Sequence, residues 1–205
     1  QADIALISNI GEAHLAYVDS QINTARTESE IAQGWRTDGS IILPYDAPHY
    51  PLLLELAQSH TKKCNDCVIL FSLHNSEAHI YAGNIRMVDQ HQLFTLYVQM
   101  HGIKEQVNIA LPLLGRHHVY NFVAAAAVCI QLGYALSSIA AKARQLQPVP
   151  GRLEPVILPY DHLLINDAYN ASPSSVRAAI DVLCERKGYD SRVLVLADML
   201  ELGEQ

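Results

Sequence analysis

Residues 3–8, reading Asp-Ile-Ala-Leu-Ile-Ser, form a short and almost unbroken apolar run, and comparable runs return at 39–43 and 67–73. A strand that is apolar on both sides belongs in a parallel sheet covered on both faces. Between the runs lie two stretches with helical spacing. One spans 20–33, with Ser20 placed to cap it and Gly34 to stop it; the other spans 49–60. This β-α-β-α-β alternation predicts a parallel sheet with helices on its faces.

The pattern then changes. Residues 79–88 and 93–100 alternate apolar and polar positions around turn residues, as antiparallel strands do, and 106–110 adds a third such strand. A helix is predicted from Val119 through Ala124, Ala125, Ala126 and Ala127 to Gly133. A second helix, capped by Ser137 or Ser138, runs to about residue 147. Pro148, Pro150 and Gly151 break the chain and mark a domain boundary. Beyond it, strands are expected at 154–158 and 163–166. A helix capped by Ser172 with Pro173 at its first position should run to Gly188, and 192–197 reads as a further buried strand. The fold class is therefore α/β: a mostly parallel sheet with flanking helices and a small antiparallel section over 1–150, then a second domain over 151–205. A unit of roughly 55 residues buries too little to stand alone, so the second domain reads as truncated.

Half of the 205 residues are hydrophobic, which supplies a sizeable core and argues against disorder. The formal net charge is -7, with 21 acids against 14 Lys and Arg, and lacks the basic footprint of a nonspecific nucleic-acid binder. No run approaches the roughly 18 apolar residues of a membrane span, and no signal peptide is expected at the N-terminus. The four cysteines show no disulfide framework, so a reducing, cytoplasmic setting is the expectation.

Several polar residues stand where chemistry is possible. His14 follows the first strand by a few residues, as a metal ligand or phosphate contact, or as a solvent-facing loop histidine. Glu28 falls within the apolar arc of the 20–33 helix, with Ile22, Ala25, Ile31 and Ala32. There a carboxylate is costly unless paired or metal-bound, or unless it snorkels out beside Arg26 or Glu30. Cys64 and Cys67 make a lone Cys-x-x-Cys, either an ordinary loop or, with His60 or His74, a zinc site. Gly115-Arg116-His117-His118-Val119-Tyr120-Asn121 leads into the alanine-rich helix, where free backbone N–H groups suit a phosphate or nucleotide. Arg152 sits in the hinge. Neither a Gly-x-Gly-x-x-Gly nor a P-loop occurs.

Taken in order, these pieces resemble the Mur ligases, the ATP-dependent amide-bond-forming enzymes of peptidoglycan precursor synthesis. The matching pieces are Asn9 with His14, the 115–121 segment, Pro148-Val149-Pro150-Gly151-Arg152, Asp167-Ala168-Tyr169-Asn170-Ala171-Ser172-Pro173, and Ala197-Asp198-Met199-Leu200-Glu201-Leu202-Gly203-Glu204. The last string is most like the family member that adds D-alanyl-D-alanine to UDP-N-acetylmuramoyl-tripeptide. The resemblance implies a slice of a three-domain, cytoplasmic, monomeric enzyme. It would hold the later part of the central ATP-binding domain and the start of a Rossmann-like C-terminal domain. The P-loop would lie upstream, and the slice alone would be inactive.

The resemblance further implies ATP and Mg2+ as cofactors, with His14 and Glu28 as catalytic metal ligands. Glu28 stands where the family carries a carbamylated lysine, and His118 where it carries asparagine. His118, Asn121, Arg152 and Asp167 would hold the nucleotide; Tyr169, Asn170 and Asp198 would face the substrate. Two other readings stay open: a related amide ligase of the folylpolyglutamate-synthase or cyanophycin-synthetase type, and a non-catalytic nucleotide-binding homologue.

Overall fold

The structure, a computed structural model, describes residues 2–10, 20–60 and 67–199, without the side chains of 33–38 and 60. Strand β1 (Ala2–Leu6) is followed by helix α1 (Gln21–Ser29), whose Ser20 cap accepts a hydrogen bond from the Asn23 N–H at 3.3 Å. A 3-10 segment (Glu30–Gly34) leads into β2 (Trp35–Pro44), then α2 (Tyr50–His60) and β3 (Val68–Ser72). Strands β4 (Ile80–Val88), β5 (His91–Met100) and β6 (Ile103–Leu111) complete one six-stranded sheet in the order β1-β2-β3-β4-β5-β6. The pairs from β1 to β4 are parallel and the last two are antiparallel. A parallel pair normally needs a long crossover. β3 and β4 avoid it because only Phe71 and Ser72 pair with Ile80 and Tyr81, so β4 starts beside the end of β3.

The unbroken apolar runs arise because both faces of the parallel strands are covered. On β2, Ile42 joins Ile69 and Phe71 beneath α3 (Arg116–Gln131) and α4 (Leu136–Ala143). Its neighbours Ile41 and Leu43 face the opposite layer, where Ala25 of α1 and Leu53 and Ala57 of α2 pack. Ala124, Ala126 and Ala127 of α3 are at most 2% exposed, and their small side chains let the helix lie close on the sheet. Beyond α4, β7 (Glu154–Leu158) and β8 (His162–Asn166) form an antiparallel pair, followed by α5 (Pro173–Glu185). From residue 151 onward only Leu153, Val182 and Arg186 are buried among the described residues.

Five expectations are corrected. Helix α3 begins at Arg116, three residues earlier than expected, because Gly115 at φ 91° turns the chain into it. The N-cap of α4 is Ala135; Ser137 and Ser138 lie inside the first turn, and the helix ends at Ala143. Residues 192–197 form no strand: Val193, Leu194, Val195 and Leu196 are exposed, since no described strand lies beside them to pair with. Glu28 is exposed and flanks the buried stripe instead of lying in it. Ala25, Ser29 and Ala32 make that stripe, while Ile22 and Ile31 are also largely exposed. Cys67 is disulfide-bonded, whereas Cys129 and Cys184 are free thiols.

Candidate functional site

The first turns of α3 lie against the carboxyl ends of the parallel strands. Asp46, just past β2, accepts hydrogen bonds from the Ser72 hydroxyl (2.8 Å) and the Leu73 N–H (2.6 Å) at the end of β3. The Tyr120 ring stands 5.1 Å from that of Phe71, and burial, with Asp46 nearby, raises its phenol well above the ordinary range. In open α/β sheets this edge is where ligands bind.

The hinge meets the same helix end. Gly151, at φ 72°, sends its N–H to Glu154 Oε2 (3.0 Å), which also accepts from Asn166 Nδ2 (3.2 Å), so one carboxylate ties both ends of the β7–β8 hairpin. Gly151 O accepts the Tyr169 N–H at 3.1 Å, and a Cβ on Gly151 would sit 3.4 Å from Tyr169. The Arg152 guanidinium therefore lies over the Tyr169 ring, 4.2 Å from its centroid, in a cation–π contact. Asp167 Oδ1 accepts the Leu153 N–H at 3.0 Å, leaving its second oxygen unused by that bond. Leu153 itself packs with Leu114 and Val182 in a small apolar cluster that joins the two lobes.

Two histidines face this hinge from α3, their ring centroids 4.4 Å apart. Burial, then His117, then Arg152 disfavour the charged form of His118, whose pKa is lowered to about 4. Burial also lowers His117, partly opposed by Asp167. The site thus brings a neutral imidazole, a guanidinium and a carboxylate together at the hinge. Gly115 is required at its edge: a Cβ there would meet the His117 ring at 2.5 Å and Val182 at 2.9 Å.

Of the residues the sequence singled out, the structure brings His118, Arg152, Asp167 and Tyr169 together. Asn121 is exposed one turn further along α3, on the face of His117 and His118. Asn170 is exposed, with its Oδ1 accepting the Ala171 N–H at 2.9 Å. Asp198 is exposed on the extended segment after α5, and no bond ties it to the cleft. Glu28 lies on α1, whose buried side chains belong to the opposite layer, and its side chain bonds no described residue. His14 lies outside the described residues. Sequence reasoning passed over Glu154, and it quoted His117 within the 115–121 segment without giving it a role of its own. A second histidine in the same helical turn and a carboxylate three residues past the hinge glycine were the available signals.

A family model described as the Mur ligase middle domain matches residues 1–129. The chain belongs to the Mur ligase family. It is 35% identical over 203 residues to the UDP-N-acetylmuramoyl-tripeptide–D-alanyl-D-alanine ligase of Escherichia coli (strain K12), covering 99% of this chain and 42% of that protein. The solved structure of MurF from Acinetobacter baumannii superposes with a TM-score of 0.86 at 32% identity, covering 100% of this chain and 42% of that one. MurF ligase from Thermotoga maritima, solved in complex with ADP, shares the fold with a TM-score of 0.77 at 20% identity, over 98% of this chain and 43% of its own. The chain thus spans about two fifths of the length of the Mur ligases it matches.

The donor set of this Mur ligase hinge fits a nucleotide. A guanidinium suits phosphate oxygens, a carboxylate suits ribose hydroxyls, and a neutral imidazole with a nearby amide suits a base. It does not assemble a metal site by itself. Among the described residues no group of three or more His, Cys, Asp or Glu side chains is placed to hold an ion.

Proposed function

We propose that this chain forms the nucleotide-binding hinge of a ligase that adds D-alanyl-D-alanine to UDP-N-acetylmuramoyl-tripeptide. Bound ATP would supply the phosphoryl group that activates the peptide carboxylate as an acyl phosphate, which the incoming amine attacks with expulsion of phosphate. The chain's own part is positioning. Arg152, steadied on Tyr169, takes the phosphates; Asp167 takes the ribose; His118 and Asn121 take the base. Tyr169, Asn170 and Asp198 face the peptide side once the lobes close. His14 and Glu28 would hold Mg2+, which would neutralise phosphate charge when bound.

The convergence of His118, Arg152 and Asp167 across the hinge carries this reading. The relatives' names supply the substrates. A cytoplasmic, monomeric enzyme completes it, without nucleic acid as partner. No helix among the described residues is long and apolar enough to cross a membrane.

The deciding experiment uses the full-length protein. Phosphate release should require ATP, UDP-N-acetylmuramoyl-tripeptide and D-alanyl-D-alanine together. Release driven by glutamate and folate would move the protein to a related amide ligase. ADP binding without any turnover would make it a non-catalytic homologue.

A further inference from the structure

We propose that a second cleft, beside the β4–β5 turn, binds a phosphate-like dianion that bridges the two lobes. The cleft encloses about 650 Å³ and shares no residue with the His118–Arg152–Asp167 hinge site. One wall is the hairpin, with Arg86, Met87 and Gln90. The other is the C-terminal lobe, with Leu163, Arg186 and Tyr189. Arg116, at the start of α3, lines it as well.

Its charge runs against that of the chain. Acids outnumber Lys and Arg by 21 to 14 overall. Here Arg86, Arg116, Arg186 and Lys187 stand against Asp89 and Glu185. Arg186 carries the argument. Its side chain is only 8% exposed, its Nε has no hydrogen-bond partner, and its Nη2 reaches only the Met87 sulfur, 3.7 Å away. Thioether sulfur is a weak acceptor, and a buried guanidinium without an anion is costly. Neither Asp89 nor Glu185 pairs with it, although both line the cleft. A small oxyanion in the cleft would give the guanidinium, through its Nη groups, the strong acceptor it lacks; Nε itself is occluded. The cations come from three separate elements that line the one cleft, which suits a tetrahedral phosphate better than a planar carboxylate. The inference does not rest on the ligase reading.

The test titrates the full-length protein, its nucleotide site filled with ADP, with inorganic phosphate in a calorimeter at constant ionic strength. Saturable binding is expected, and Arg186→Met should weaken it about tenfold or more, the loss of one charge-assisted contact. Arg86→Gln, on the exposed hairpin face, should weaken it in the same direction without touching the core, so a folding defect in the first variant cannot decide the matter. ADP affinity should not change in either variant. No phosphate binding by the ADP-loaded protein, or equal binding by wild type and both variants, would overturn the proposal. Malonate binding as tightly as phosphate would overturn the tetrahedral assignment.

Discussion

His118 and Arg152 set the electrostatics of the hinge between them. Burial, His117 and Arg152 all oppose a proton on His118, so it titrates near 4 in the fold against 6.5 ordinarily. Between these values the unfolded chain takes up a proton that the folded chain refuses. Stability is therefore full above pH 6.5 and falls as pH drops toward 4, and the lowered His117 adds to the same trend. Denaturation midpoints measured across that window should decline, and His118→Asn should flatten the decline; parallel slopes would remove His118 from the account. Arg152 invites a second comparison. Its stacking on exposed Tyr169 is worth about 0.5–1 kcal/mol, so Tyr169→Ala should weaken ADP binding to the full-length protein roughly two- to fivefold while Tyr169→Phe keeps it. Arg152→Ala should cost about tenfold or more. If Tyr169→Phe behaves like Tyr169→Ala, the hydroxyl and not the ring is what matters. The hinge letters were legible in the sequence, but the partnership of Arg152 with Tyr169 was not, because sixteen residues of hairpin and loop lie between them and the gap closes only in the fold, through the Gly151–Tyr169 and Leu153–Asp167 bonds.

Elements were legible wherever a pattern reports its own surroundings. β2 and β3 read as buried parallel strands because Ile41, Ile42 and Leu43 meet apolar layers on opposite faces. The alternation of β4 and β5 likewise marked an antiparallel pair. Residues 192–197 carry the same kind of apolar run, yet Val193 is 77% and Val195 87% exposed, since a run of side chains does not state whether a neighbouring strand is there to pair. Glu28 misled for a related reason. A helical wheel treats Ile22 and Ile31 as core, whereas α1 packs through its small residues, Ala25, Ser29 and Ala32. Capping was read correctly at α5, where Ser172 and Ser175 exchange hydrogen bonds with each other's backbone. Ser172→Ala should therefore destabilise the C-terminal lobe by about 1 kcal/mol, measured by urea unfolding followed on that lobe. Gly115→Ala should cost more, about 1–3 kcal/mol, because φ 91° and the His117 and Val182 contacts leave a Cβ no room. A wild-type midpoint for Gly115→Ala would show that α3 can start without that turn.

At the scale of the whole molecule the two lobes are held very unequally. The central lobe packs two apolar layers against six strands, whereas the C-terminal lobe is joined to it through little more than Leu114, Leu153 and Val182. Local opening is easiest where few apolar side chains are buried. Ile157, Leu158 and Leu164 of the β7–β8 hairpin are all more than 40% exposed, so that sheet gains little from its own burial. Hydrogen exchange on this chain should accordingly release the amides of β7, β8 and α5 well before those of β2, β3 and β5. A nucleotide gripped by Arg152 and Asp167 on one side and His118 on the other would add contacts across the joint, and whatever binds only the closed arrangement stabilises it. Adding ADP to the full-length protein should then slow exchange in β7, β8 and the 151–153 hinge while leaving β2 and β3 unchanged. Uniform slowing across both lobes would mean that the ligand stabilises the fold as a whole. No slowing at the hinge would mean that the nucleotide does not bridge the lobes there.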